Sequence, residues 1–449
     1  MTTLEITRTQ LRIHFTAFEH IAGLVRDVEV PLSAIRAVRV VDNGLAAARG
    51  LRAPGLGIPG YRMLGTWRTW SSKALVSVRR GEPALRIELS GQRWSTLLVG
   101  SPEAVRLGAL IERAVGQARG GSPDDAAADA PRDAPRDAVR ELPVEFRVGT
   151  DRLEGSLMVP AGEAPFPAAL LIPGSGPVDR DSNHPRMPLE VTKQLAQALA
   201  EAGIASLRYD KRGVGASAEA GDWRRFGFHD RIDEARNGLA ALRGRAEVDG
   251  HAVFVVGHSE GALDAAALAA SDDQLAGVVL LSTSASPGED VLVWQGEQIA
   301  PGLPAPIRLM LKVMRTDVVS KVKQNHAKIK ATTTDVARIG GAKINARWMR
   351  EFMAHDPRSD LSRITVPVLA ITGSKDLQVN AADLDVVERH VQGPVETYVA
   401  PDVTHLLRRQ PGTASLKAYK SEIRRPIDAE VTRRVTTWLR ARTADPAAC

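Results

Sequence analysis

Beyond residue 165 the chain alternates between two hydrophobic rhythms. Short apolar runs read as buried strands at 168-AALLIP-173, 204-IASLRYD-210, 252-AVFVVG-257, 275-LAGVVLLS-282 and 367-PVLAIT-372, with a weaker one at 395-VETYVA-400. Between them, apolar residues recur at helical spacing in 188-PLEVTKQLAQALAEAG-203, 230-DRIDEARNGLAALRGR-245 and 260-EGALDAAALAA-270, and again in 428-DAEVTRRVTTWLRAR-442. Unbroken apolar strands separated by helices predict a mostly parallel, doubly wound α/β sheet buried on both faces.

The first quarter has a different texture. The segments 4-LEITRTQLRIHF-15, 34-AIRAVRVV-41, 74-ALVSVRR-80, 84-ALRIELS-90 and 95-STLLVG-100 are short, and several alternate apolar with polar residues. Half-buried antiparallel strands read this way. A helical pattern, 102-PEAVRLGALIERAVG-116, follows Ser101 as N-cap and Pro102 as first helical residue. A small antiparallel β domain closing on one helix is expected over 1–116. Residues 117–140, built from Gly, Ala, Pro, Asp and Arg, have almost nothing to bury and read as a linker. The second domain then spans 141–443.

Composition narrows the class. The 449 residues are 44% apolar and 25% charged, as in soluble globular chains, and no apolar run reaches 18 residues. The start, MTTLEITRTQ, lacks a basic stretch followed by an apolar one, so no leader is expected. One cysteine, Cys449, leaves no disulfide within the chain and no cysteine-based metal site. These features point to the cytoplasm, with no metal or cofactor expected. The net charge of +6 is unevenly spread: 16 Lys/Arg face 9 Asp/Glu in 1–115, and 11 face 2 in 308–350, leaving the rest acidic. No basic-aromatic or helix-turn-helix pattern accompanies the basic stretches, so no nucleic-acid partner is expected.

The chemistry concentrates at 257-GHSEG-261, which joins an apparent strand to an apparent helix. A serine on such a sharp turn projects above the sheet with the positive end of the helix beneath it. Its hydroxyl needs a base, and the base needs an orienting carboxylate. Asp376 follows the strand 367–372 and His405 follows the strand 395–400, in the order that a strand–Ser–helix elbow calls for. His390 lies in the helical run 381-AADLDVVERH-390, away from a strand end, and His258 adjoins Ser259 too closely to serve as its base. Asp402 is the alternative orienting carboxylate. The oxyanion donors are expected at the amide of Glu260 and in the loop 173-PGSGPVDRDSN-183, at Ser175 or else Gly174. About eighty residues separate Ser282 from Pro367, too many for a plain crossover. A helical cap over about 286–358 is expected, with Trp348, Phe352 and Met353 either lining an acyl pocket or packing the cap onto the sheet.

On the motifs GSGPVDRDSN, YDKRGVGAS, GHSEG, GSKDLQV and PDVTH, residues 141–443 resemble the α/β-hydrolases, in the esterase-like branch that also resembles dienelactone hydrolases and serine aminopeptidases. One departure is Pro173-Gly174, where many relatives have His-Gly. Asp210 and Arg212 of the YDKRGVGAS loop read as structural anchors near the oxyanion loop. With 50-GLRAPGLGIPGYRMLGTWR-68 and the SPEAV helix entry, residues 1–116 resemble bacterial pleckstrin-homology-like domains. The resemblance implies a serine hydrolase acting on a small-molecule carboxylic ester, with a peptidase or amide hydrolase as the alternative. A different class also stays open: a docking protein, its first domain engaging a membrane surface or a protein, with an incidental hydrolase domain.

Overall fold

The structure, a computed structural model, describes residues 3–443 except 8, 17–18, 20–24, 26, 42–43, 49–50, 59–60, 69–72, 91, 119–137, 185–186 and 304–315. Most of the expected linker, the start of the basic cap segment and Cys449 lie outside the described residues. The chain divides into two compact units, Met1–Ala134 and Pro135–Cys449.

The first unit holds a three-stranded antiparallel sheet (Thr3–Ile6, Gln10–His14, Val28–Pro31) and a six-stranded one. The larger sheet runs Ile35–Val41, Ala84–Leu89, Thr96–Gly100, Lys73–Arg79, Arg62–Arg68, Leu51–Ile58. All its neighbours are antiparallel except Lys73–Arg79 and Thr96–Gly100, which run parallel. The small antiparallel β domain expected from the sequence is present, with this one parallel pair inside it. Strand Ala84–Leu89 lies one place further out, so the strand that returns from it lands beside Lys73–Arg79 in the same direction. Helix Ala104–Ala118 covers this sheet through Ala104, Ile111 and Val115, which join Leu85, Ile87 and Leu97 in one core.

The second unit is built on eight strands, β1 (Arg140–Val148), β2 (Asp151–Val159), β3 (Phe166–Ile172), β4 (Ala205–Tyr209), β5 (Val248–His258), β6 (Gly277–Leu281), β7 (Val368–Gly373) and β8 (Val395–Ala400). Their order is β1-β2-β4-β3-β5-β6-β7-β8. Strands β3 to β8 are mutually parallel, as the apolar runs predict, whereas β1 and β2 form an antiparallel hairpin at one edge. The hairpin escapes a reading of the sequence because exposed edge positions interrupt its apolar pattern. Helices α1 (Val191–Glu201) and α8 (Ala429–Ala441) pack on one face, where Leu195, Leu199, Val435 and Trp438 meet Leu171, Phe254 and Val279. Helices α2 (Phe228–Arg243), α3 (Glu260–Ala269) and α7 (Asp383–His390) cover the other, where Leu239, Leu263 and Val387 meet Leu170, Val255 and Leu280. Each central strand is buried on both faces, which is why it reads as an unbroken apolar run.

The connection from β6 to β7 carries α4 (Gly288–Ile299), α5 (Val318–Lys330) and α6 (Ala346–Ala354). The connection also holds a β-hairpin that the sequence reading did not include, Val336–Ile339 with Ala342–Asn345, just before α6. Its two-residue turn, Gly340-Gly341, has φ of +57° and +84°. Two positive φ values make the tight turn that suits the twist of a hairpin, and only glycine adopts them without strain. No helix among the described residues is long and apolar enough to cross a membrane.

Candidate active site

Ser259 is the whole connection between β5, which ends at His258, and α3, which starts at Glu260. Its φ of 58° and ψ of −121° are strained for a residue with a side chain. The turn is so tight that a Cβ on Gly257 would overlap the Gly261 carbonyl, and one on Gly261 would overlap the carbonyl of Ile172 in β3. Both flanking positions therefore need glycine for space, which is the physical content of the Gly-x-Ser-x-Gly spacing.

Strands β7 and β8 deliver the partners. Asp376 lies three residues beyond the end of β7, and His405 five beyond the end of β8. His405 Nε2 stands 3.0 Å from Ser259 Oγ, and its Nδ1 stands 2.8 Å from Asp376 Oδ2. The other carboxylate oxygen of Asp376 accepts from the backbone amides of Gln378 (2.8 Å) and Val379 (2.9 Å). Burial pushes the Asp376 carboxyl up, but its contact with His405 and these two amides outweigh burial and hold it below the usual carboxylate range. Asp376 is thus ionised at neutral pH and aligned on the imidazole.

The competing residues lie elsewhere. Asp402 is exposed and pairs with Lys375 at 2.7 Å. His390 stays on α7, its Nδ1 2.8 Å from the Val386 carbonyl. Sequence reasoning weighs His258 only as a base for Ser259 and misses its actual contact: its Nε2–H donates to the backbone carbonyl of His405 at 2.8 Å. Burial first, then the neighbouring His405, push the His258 imidazole down to about 3, so it stays neutral and holds the His405 loop. No local sequence signal announces a bond across 147 residues.

The loop after β3 is tied down from below. Asp210, just past β4, accepts from the Arg180 amide (2.7 Å), the Arg180 guanidinium (2.8 Å) and the Ala216 amide (2.8 Å). Arg212 turns the other way, its Nε donating to Glu234 at 2.8 Å. Between them Lys211, which sequence reasoning also misses, sends its Nζ to the Gly174 carbonyl at 2.6 Å. Gly174 in turn packs against the elbow: a Cβ there would lie 3.3 Å from Ser259 Cβ. This closeness explains why a small residue follows Pro173.

Two cavities meet at this point. One of about 250 Å³ contains Ser259 and is walled by Leu263, Val291, Leu292, Phe352 and Val379. The other, about 280 Å³, is walled by Trp223, Arg231, Ile344, Asn345 and Met349, with Lys343 at its rim. Ser175, Glu260 and Trp348 border both. Trp348 stacks on Phe352 (4.7 Å, 11°) one helical turn along α6, and its indole N–H donates to the Glu260 carboxylate. Met353 is buried and lines neither cavity, because the next residue after Phe352 is turned about 100° round the helix.

Residues 189–411, which include Ser259, Asp376 and His405, match the family model described as serine aminopeptidase, S33. Esterase EstD of Thermotoga maritima is 28% identical over 291 residues, covering 64% of this chain; the chain spans 65% of that relative's length. Among solved structures, Est1E from Butyrivibrio proteoclasticus is similar with a TM-score of 0.45 and 17% identity, over 68% of this chain and 99% of that one. The esterase domain of a Rhodothermus marinus protein gives 0.42 and 18%, over 67% and 98%. Strand order and elbow give residues 140–443 the α/β-hydrolase fold, and residues 189–411 within it are similar to the serine aminopeptidase, S33 family.

Proposed function

We propose that this domain hydrolyses small-molecule carboxylic esters through an acyl-enzyme on Ser259. The observation that supports this most directly is the unbroken hydrogen-bonded line Ser259–His405–Asp376, set on a strained strand-to-helix turn. In this reading Ser259 Oγ attacks the ester carbonyl while His405 Nε2 takes its proton. Asp376 holds the imidazole in the right tautomer and stabilises its charged form. The amides of Ser175 and Glu260 donate to the developing oxyanion. His405 then protonates the departing alkoxide, and a water activated by the same imidazole releases the acid.

The two cavities divide the substrate. The acyl arm occupies the cavity that contains Ser259, and the alcohol arm occupies the one beyond Ser175 and Trp348. Filling the second cavity with Met349→Trp should lower kcat/KM for esters of bulky alcohols about 10-fold. Deacylation should be unchanged, because every ester of one acid passes through the same acyl-enzyme. Single-turnover kinetics on a series of esters sharing one acyl group would check this, and a slowed deacylation step would reverse the assignment.

Amide hydrolysis is the second reading, favoured by the match to the serine aminopeptidase model. An aminopeptidase needs a free carboxylate to receive the substrate ammonium. The carboxylate that borders both cavities, Glu260, is already engaged by the Trp348 indole and lies 4.0 Å from Lys211. This occupancy favours esters.

The test is a fluorophosphonate probe, which phosphonylates only an activated serine. Intact mass should show one adduct per chain, and peptide mapping should place it on Ser259. An unlabelled protein, or a label elsewhere, would defeat the reading.

A further inference from the structure

We infer that Lys211 is a positioning residue that orients the oxyanion hole, by holding the peptide unit shared by Gly174 and Ser175. This rests on the reading of Ser259 as the nucleophile and of the Ser175 amide as an oxyanion donor.

The Gly174 carbonyl and the Ser175 N–H belong to the same plane and point in opposite directions. Lys211 Nζ donates to that carbonyl at 2.6 Å, so the Ser175 N–H is turned away from Lys211. Ser175 borders the cavity that contains Ser259, and Gly174 packs against Ser259. A rotation of this peptide would cost the buried ammonium its short, charge-assisted bond. Orientation of the donor is therefore secured before substrate arrives, which is what makes such a donor effective.

The same ammonium also faces the second donor's residue. Its Nζ is 4.0 Å from Glu260 Oε2, and Glu260 is the residue after the nucleophile. One cation thus links the loop after β3 to the first turn of α3. Its charge on the Gly174 carbonyl also polarises the peptide, which strengthens the Ser175 N–H as a donor.

Lys211 is almost fully enclosed, its side chain 3% exposed. The charged groups around it are Glu260 and Asp264 on α3 and Arg231 and Glu234 on α2. Burial is the main influence and lowers the Lys211 ammonium to about 8. Glu260, Glu234 and Asp264 oppose this, while Arg231 adds to it. Lys211 is therefore protonated at pH 7 and loses its charge as the pH rises through about 8.

The experiment compares the parent with Lys211→Met and Lys211→Arg, using a p-nitrophenyl ester and the fluorophosphonate probe. Lys211→Met should lower kcat 10- to 100-fold, below the effect of deleting an oxyanion donor outright, with KM within about twofold. Labelling should slow in parallel, because the phosphonyl oxygen uses the same donors. Lys211→Arg should recover most of the loss. The parent's kcat should fall on the alkaline side near pH 8, and that limb should be absent from Lys211→Met. A Met variant that labels and turns over at the parent's rate would overturn the proposal. So would a parent kcat that stays level from pH 7 to 9.5, a result that needs no variant to fold. Failure of the nucleophile reading would look different, since the parent itself would then take no label at Ser259.

Discussion

Ser259→Ala is expected to lower kcat for ester hydrolysis by about 10⁶-fold and to abolish fluorophosphonate labelling. The size reflects the groups that the change removes. Alanine keeps the Cβ, so the residue meets the same neighbours at the same φ of 58°, and the flanking Gly257 and Gly261 are untouched. Only the hydroxyl and its bond to His405 Nε2 disappear. The proposed nucleophile is lost while the fold, the cavities and the proposed oxyanion donors remain. Thermal unfolding should therefore be close to that of the parent, moving by no more than about 3 °C. Steady-state turnover with an active-site titration checks the prediction, and residual activity above about 1% of the parent would sink it.

Asp376→Asn should cost about 10⁴-fold in kcat, with the protein still folded. The reason lies in which atom faces which partner. Asp376 Oδ1 accepts from the amides of Gln378 and Val379, and Oδ2 faces His405 Nδ1. Asparagine has one acceptor oxygen, and the two backbone donors claim it. Its NH₂ group must then point at Nδ1, which has to become an acceptor. The proton moves to Nε2, so His405 meets Ser259 as a donor and cannot take its proton. KM should change by no more than a few fold, because neither cavity loses its shape. An Asn variant within tenfold of the parent in kcat would show that Asp376 does not set the tautomer.

Particular elements show how far the sequence can be read. The elbow is legible because two glycines around a serine, at the join of an apolar run and a helical pattern, have few physical meanings. Asp376 and His405 are legible because each lies just beyond a strand, and parallel strands bring the residues at their carboxyl ends to one edge of the sheet. The parallel pair in the first unit is not, since alternation marks a half-buried strand and carries nothing about its neighbour. The cap hairpin is signalled by Gly340-Gly341 but lost among residues at helical spacing. Met353 groups with Phe352 on composition alone, although helix geometry turns adjacent residues apart.

Local pattern by itself determined the doubly wound sheet, the tight turn at Ser259 and the order of Ser259, Asp376 and His405 after their strands, because these depend on periodicities and spacings that a chain carries along its length. The tertiary structure alone decided that His258 holds the His405 carbonyl, that Lys211 holds the Gly174 carbonyl, and that Trp348 and Glu260 stand between two cavities. Each of these contacts joins residues far apart in sequence, and two of them end on backbone atoms. A carbonyl is present at every position and has no residue type, so nothing in the sequence marks which one a buried cation or imidazole will find.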